Sequence, residues 1–220
     1  MDFNKVQFDY ALLAANVYGA KSGVRTELNT LGPPNGWIQI AESVSVTGFM
    51  ARAYQNAATG EVVVSYAGTT NEEGATLNDW LSGNLPAGLG AISQSLEAVV
   101  FYLDVLKLQD VDPGKTSFTG HSLGGGLASL MAVYFDKKAI VFDQAPFELS
   151  AASFTYDAYE AILELAGYTI PQAFKDYDQL EYKARKANVQ QIVVAGEVLS
   201  YATDNAFKIN DGSPLVLGKV

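Results

Sequence analysis

Residues 115–135 read KTSFTGHSLGGGLASLMAVYF. Lys115–Thr119 has the makeup of a short strand, Gly120-His121-Ser122-Leu123-Gly124 is a glycine-rich bend, and an apolar helix is expected from Leu123 to Phe135. Gly-x-Ser-x-Gly carries chemical information only in that setting of strand, sharp turn and helix. A serine at the tip of such a turn has a strained backbone, and side chains two residues to either side of it would collide. Glycines at 120 and 124 remove those collisions. The helix start also aims N–H groups and the positive end of its dipole at the tip, where an oxyanion would develop. The pattern points to Ser122 as a nucleophile. A phosphate-binding loop fits less well, because no G-x-x-x-x-G-K-[ST] is present and no lysine stands beside the glycines. The plain alternative is a helix start that packs tightly and does no chemistry.

Outward from the bend, strands and helices alternate. Residues 3–18 have helical apolar spacing, and Gly19 can end the helix. Two strands are expected at 38–44 and 46–55, then a turn at 56–60 and a strand at 61–67. The Val62-Val63-Val64 run of that last strand suits burial on both faces. A short helix is expected at 77–83, a break at NLPAGLG (84–90), and an amphipathic helix at 91–107. Beyond the bend come a strand at 138–143, a largely helical stretch at 156–187 interrupted near GYTIP, and a strand at 189–196. Alternation of this kind predicts an α/β fold, a mostly parallel sheet with helices on both faces. All 220 residues are expected to form one domain, incomplete at its C-terminus, because NDGSPLVLGKV stops without a clear closing helix.

Composition narrows the function. Apolar residues make up 49% and charged residues 17%, as in a globular chain rather than a disordered one. A net charge of −10 argues against a nucleic-acid partner, which needs clustered Lys and Arg, and against tight attachment to anionic lipid. Apolar contact with neutral lipid needs no positive charge. With no cysteine there are no disulfides or thiolate metal sites. No apolar run approaches a membrane span, and the N-terminus lacks the features of a cleavable signal. The chain is expected to be soluble, either cytoplasmic or exported without a cleaved leader.

GHSLGGGLASL resembles the nucleophile elbow of the class 3 lipases, an α/β-hydrolase family of triacylglycerol lipases and related esterases and phospholipases. Upstream, VVVSYAGTTNEEGATLNDWLSGNL is similar to that family's strand ending in Gly-Thr or Gly-Ser, followed by a short helix containing Asp-Trp. The order and separation of the two motifs fit as well. The resemblance implies an α/β-hydrolase fold and hydrolysis of carboxylic esters through an acyl-enzyme on Ser122, with no cofactor or metal. It places the oxyanion between the backbone N–H of Leu123 and Thr69, the latter by its N–H and its hydroxyl. Otherwise Gly-Thr-Thr would be an ordinary capping turn. Trp80 falls where relatives carry a helix that can act as a lid, and it serves equally well as core. One departure is Ala67, where many relatives have Arg.

The resemblance also implies a carboxylate after the next-but-one strand beyond the elbow. Glu197 stands there, where relatives usually have Asp; Asp143 and Asp204 are its rivals. The base should follow the acid in the chain, in the order Ser, acid, His. Yet the only histidine is His121, whose ring should diverge from the Ser122 hydroxyl across a tight turn. Two explanations stay open. Either the histidine comes from a C-terminal segment or a second chain, leaving these 220 residues weak or inactive alone, or the fold is a non-catalytic binder of lipid or acyl ligands. Acyl length and substrate class have no decisive motif.

Overall fold

Val62–Tyr66 is buried at every position, as its unbroken apolar run demands. The computed structural model describes residues 4–20, 32–68, 85–145, 153–194 and 215–217. Within them this strand is the third of seven in one sheet, and spatial order follows chain order. The strands are β1 (Trp37–Val44), β2 (Met50–Asn56), β3 (Val62–Tyr66), β4 (Thr116–His121), β5 (Lys138–Phe142), β6 (Val189–Val194) and β7 (Leu215–Leu217). β1, β2 and β3 pair antiparallel, whereas β3 through β7 pair parallel. The carboxyl ends of β3, β4, β5 and β6 therefore share one edge.

The expected strand at 46–55 starts later than its apolar spacing suggests. Ser45 N–H bonds the Phe49 carbonyl and Gly48 N–H bonds the Ser45 carbonyl, so residues 45–49 turn the β1–β2 hairpin and leave Val46 in solvent. A further correction concerns NLPAGLG. The helix begins there instead of after it: α2 runs Leu85–Val105. Pro86 falls in its first turn, where the missing N–H has no helical partner to lose. β7 is an addition to the expected strands; its three residues pair with the end of β6. The expected helix at 77–83 lies outside the described residues.

Side chains of β3 alternate between two cores. Val62, Val64 and Tyr66 join α2 and the elbow helix α3 (Leu123–Phe135), together with α4 (Ser153–Leu165) and α5 (Gln172–Lys175). Val63 points the other way, to Tyr10, Leu13 and Ala14 of helix α1 (Lys5–Asn16). Helices thus cover both faces. The short α6 (Gln179–Arg185) completes the set.

Helix α1 is tied to the sheet by polar groups as well as by packing. The Tyr10 and Ser117 hydroxyls lie 2.6 Å apart, and Ser65 Oγ donates to the Leu13 carbonyl at 3.1 Å. At its C-terminal end the Asn16 carbonyl accepts from Arg52 at 2.8 Å, and the Asn16 side-chain oxygen accepts from the Tyr54 hydroxyl at 2.8 Å. These contacts fix where the following 3₁₀ turn, Val17–Ala20, meets the sheet edge. No helix among the described residues is long and apolar enough to cross a membrane.

Candidate active site

Ser122 lies between β4 and α3 with φ 58° and ψ −126°. A non-glycine residue there carries strain of about 1–3 kcal/mol and persists only where its surroundings over-determine it. Three hydrogen bonds do so. Ser122 N–H donates to the Phe142 carbonyl at 3.0 Å, and the Ser122 carbonyl accepts from Gly126 N–H at 3.1 Å and Ala145 N–H at 2.9 Å. The residue is clamped from the end of β5 and from its own helix.

The flanking glycines allow this clamp because backbone presses on backbone. A Cβ on Gly120 would sit 2.3 Å from the Gly124 carbonyl oxygen, and one on Gly124 would sit 2.1 Å from the Tyr66 carbonyl oxygen. The helix can approach β3 and β4 only without those side chains. Gly126 N–H is the donor that bonds back to Ser122, which leaves the N–H groups of Leu123, Gly124 and Gly125 ahead of the first helical ring. Leu123 N–H, adjacent to the serine, is one of these.

Asp143 immediately follows β5 and is buried, with φ 42°. Its N–H donates to the Ile192 carbonyl at 2.9 Å. Because Ser122 bonds the preceding Phe142, Asp143 stands at the same edge as the serine. His121 closes β4 in register with Phe142. Ser122, Leu123, His121 and Asp143 are therefore brought together. Thr69, Glu197, Trp80 and Asp204 lie outside the described residues.

Two features had no signal in the sequence. Gly68, the residue before Thr69, donates its N–H to the Tyr18 hydroxyl at 2.8 Å. Beneath the elbow, Ser129 donates to the Gly125 carbonyl at 2.9 Å and bonds the Gln144 side-chain oxygen, while Gln144 Nε2 donates to Gln191 at 3.3 Å. That polar chain ties α3 to β6. Neither Tyr18 nor Gln144 belongs to a motif, and both act through contacts between distant parts of the chain. No group of three metal-ligating side chains occurs among the described residues.

A mostly parallel sheet covered by helices, with a strained serine between a central strand and the next helix, defines the α/β-hydrolase architecture. Comparison with known proteins agrees. The chain belongs to the phospholipase-like family described as the Tle-like phospholipase domain, which matches residues 9–214. Among solved structures it is similar to a lipase of Rhizomucor miehei in complex with its propeptide, at 17% identity and a TM-score of 0.52. That match covers 92% of this chain and 64% of the lipase chain, so the chain spans just under two thirds of that relative's length. It also matches the Lip2 lipase of Yarrowia lipolytica, at 15% identity and a TM-score of 0.47, covering 90% of this chain and 74% of that one. No curated protein matches the chain.

Proposed function

We propose that this chain is the nucleophile-bearing domain of a lipid carboxylic-ester hydrolase, with acyl esters of phospholipids as its first candidate substrates. The observation that carries the proposal is the positive-φ backbone of Ser122, clamped by Phe142, Gly126 and Ala145. Support for the substrate class comes from the phospholipase-like family match. Triacylglycerols and small esters are the other candidates.

Ser122 Oγ attacks the ester carbonyl as its proton passes to a base. The carbonyl oxygen becomes anionic and is held by Leu123 N–H and by Thr69. The carbon–oxygen bond to the alcohol then breaks, and the alcohol departs with the proton. Water attacks the acyl-enzyme by the same route, releasing the fatty acid and restoring Ser122. Glu197 orients the base, with Asp143 as the alternative acid. The base is an imidazole from outside these 220 residues, on a further segment or a second chain, since His121 beside Ser122 is the only histidine present.

Without its base, such a site retains roughly 10³–10⁴-fold acceleration over water, from the oxyanion hole and binding. The test is hydrolysis of a fluorogenic phospholipid and of a short p-nitrophenyl ester, with and without added imidazole. A slow rate that imidazole raises, and that Ser122→Ala removes, is expected. Equal rates for the Ser122→Ala chain and the parent would remove Ser122 from the chemistry. The single histidine also favours a second possibility, a non-catalytic binder of acyl ligands. A binder predicts ligand-dependent thermal stabilisation that survives Ser122→Ala, and no Ser122-dependent turnover even with imidazole.

A further inference from the structure

We infer that Tyr18 is a positioning residue for the oxyanion hole, holding through its hydroxyl the Gly68 N–H at the backbone that stands against Ser122. The inference rests on the acyl-enzyme chemistry proposed above. Tyr18 is fully buried in the 3₁₀ turn after α1, and it packs with Val17, Met50 and Ala67. Its hydroxyl accepts the Gly68 N–H at 2.8 Å. Gly68 is two residues past the end of β3, and Ala67 N–H is already held by the Met50 carbonyl at 3.0 Å. Two consecutive N–H groups are thus fixed, one by the hairpin and one by Tyr18.

Gly68 is also in contact with the nucleophile. A Cβ placed on it would stand 2.7 Å from the Tyr18 hydroxyl, 2.9 Å from the His121 carbonyl oxygen and 3.3 Å from Ser122 Cβ. The Tyr18 oxygen, the Gly68 backbone and the serine therefore meet in one small volume, and only glycine fits between them. A backbone N–H buried there without a partner would be costly, so the chain would shift to find one. An oxyanion donor is effective only when it is already aimed before charge develops. Holding Gly68 fixes the backbone beside Ser122 from which Thr69, the donor proposed above, follows in the chain.

The anchoring of α1 fits this role. Arg52 and Tyr54 hold Asn16, and Ser65 holds the Leu13 carbonyl, so the turn bearing Tyr18 is fixed to β2 and β3 independently of the Gly68 contact. A phenol needed only to fill the core would not require its oxygen at this edge.

Tyr18→Phe removes that one atom and keeps the ring. The rate to measure is the Ser122-dependent ester hydrolysis in the presence of imidazole, with acylation and deacylation resolved by burst kinetics, beside the thermal midpoint. We expect kcat to fall about ten- to a hundredfold, short of the roughly 10²–10³ for losing an oxyanion donor outright. KM should stay within twofold. Acylation and deacylation should slow by the same factor, because both tetrahedral intermediates use one hole. A purely structural role would lower the midpoint and leave the rate of the folded chain alone; that result, or a Tyr18→Phe chain that does not fold, overturns the inference. If the parent chain shows no Ser122-dependent hydrolysis, the underlying chemistry fails and the inference with it. Parent activity with an unaffected Tyr18→Phe variant sinks the inference only.

Discussion

The two ends of helix α3, roughly 18 Å apart at 1.5 Å per residue, are built on opposite principles. At Ser122 the chain omits side chains, so that backbone from β3, β4 and the stretch after β5 converges within contact distance. At Tyr134 and Phe135 it is crowded with rings. Tyr134 meets Tyr177, Phe174, Tyr156 and Tyr159 at centroid distances of 4.8, 5.4, 5.8 and 6.5 Å, and Phe135 meets Tyr102 at 4.7 Å. The buried Arg185 guanidinium donates to the Val133, Tyr134 and Ala173 carbonyls, closing the helix end that would otherwise leave acceptors unpaired. One end stores strain, and the other supplies the burial that can hold it.

Substitutions at the two ends should separate reactivity from stability. The largest effect is expected at Gly124→Ala, whose new methyl would meet the Tyr66 carbonyl at 2.1 Å. Loss of more than about 4 kcal/mol in urea unfolding, or no folded chain, is predicted, because backbone on both sides must move. Phe174→Ala opens a cavity at the crowded end. It should cost about 3–5 kcal/mol, while the Ser122-dependent rate per folded molecule changes less than twofold. Arg185→Ala strips two buried carbonyls and one half-buried carbonyl of their donor and should cost about 2–3 kcal/mol in the same measurement, again with the rate unchanged.

Smaller effects sharpen the contrast. Ser122 makes no side-chain capping bond. Ser122→Gly should therefore release strain and raise stability by about 1 kcal/mol, while abolishing turnover. Destabilisation instead would mean that the positive φ is not a stored cost. At the other end, burial pushes the Tyr102 phenol up to about 12, against the opposing hydrogen bond with Thr116. Its folded pKa lies above the unfolded value near 10. Its contribution to stability is thus complete below about pH 10 and lost as pH rises through about 12. Urea midpoints from pH 9 to 12 should fall over that window, and less steeply in Tyr102→Phe.

The elbow was legible in the sequence because its requirements are local. Strand, glycine, serine, glycine and helix follow one another, and each glycine answers a clash within a few residues or with the adjacent strand. The two-sided burial of β3 was legible for the same reason. What escaped was settled by distant contacts or by backbone context. Tyr18 reaches Gly68 across fifty residues with no periodicity to announce it. α2 begins through Pro86 and two glycines, which read as a break although a first-turn proline loses no helical hydrogen bond. From sequence alone the insert at 147–187 reads equally as a cap over the site or as a cover for the sheet. Its Tyr156, Tyr159, Phe174 and Tyr177 pack on Tyr134 at the C-terminal end of α3, so this part covers the helical layer away from Ser122.

Peptide mapping of the chain after treatment with a fluorophosphonate, with and without imidazole, tests the central proposal most directly. The serine at the strained turn should carry a single phosphonyl group, formed slowly alone and several times faster when imidazole stands in for the base. An unmodified Ser122 under both conditions, or adducts scattered over other hydroxyls, would contradict it.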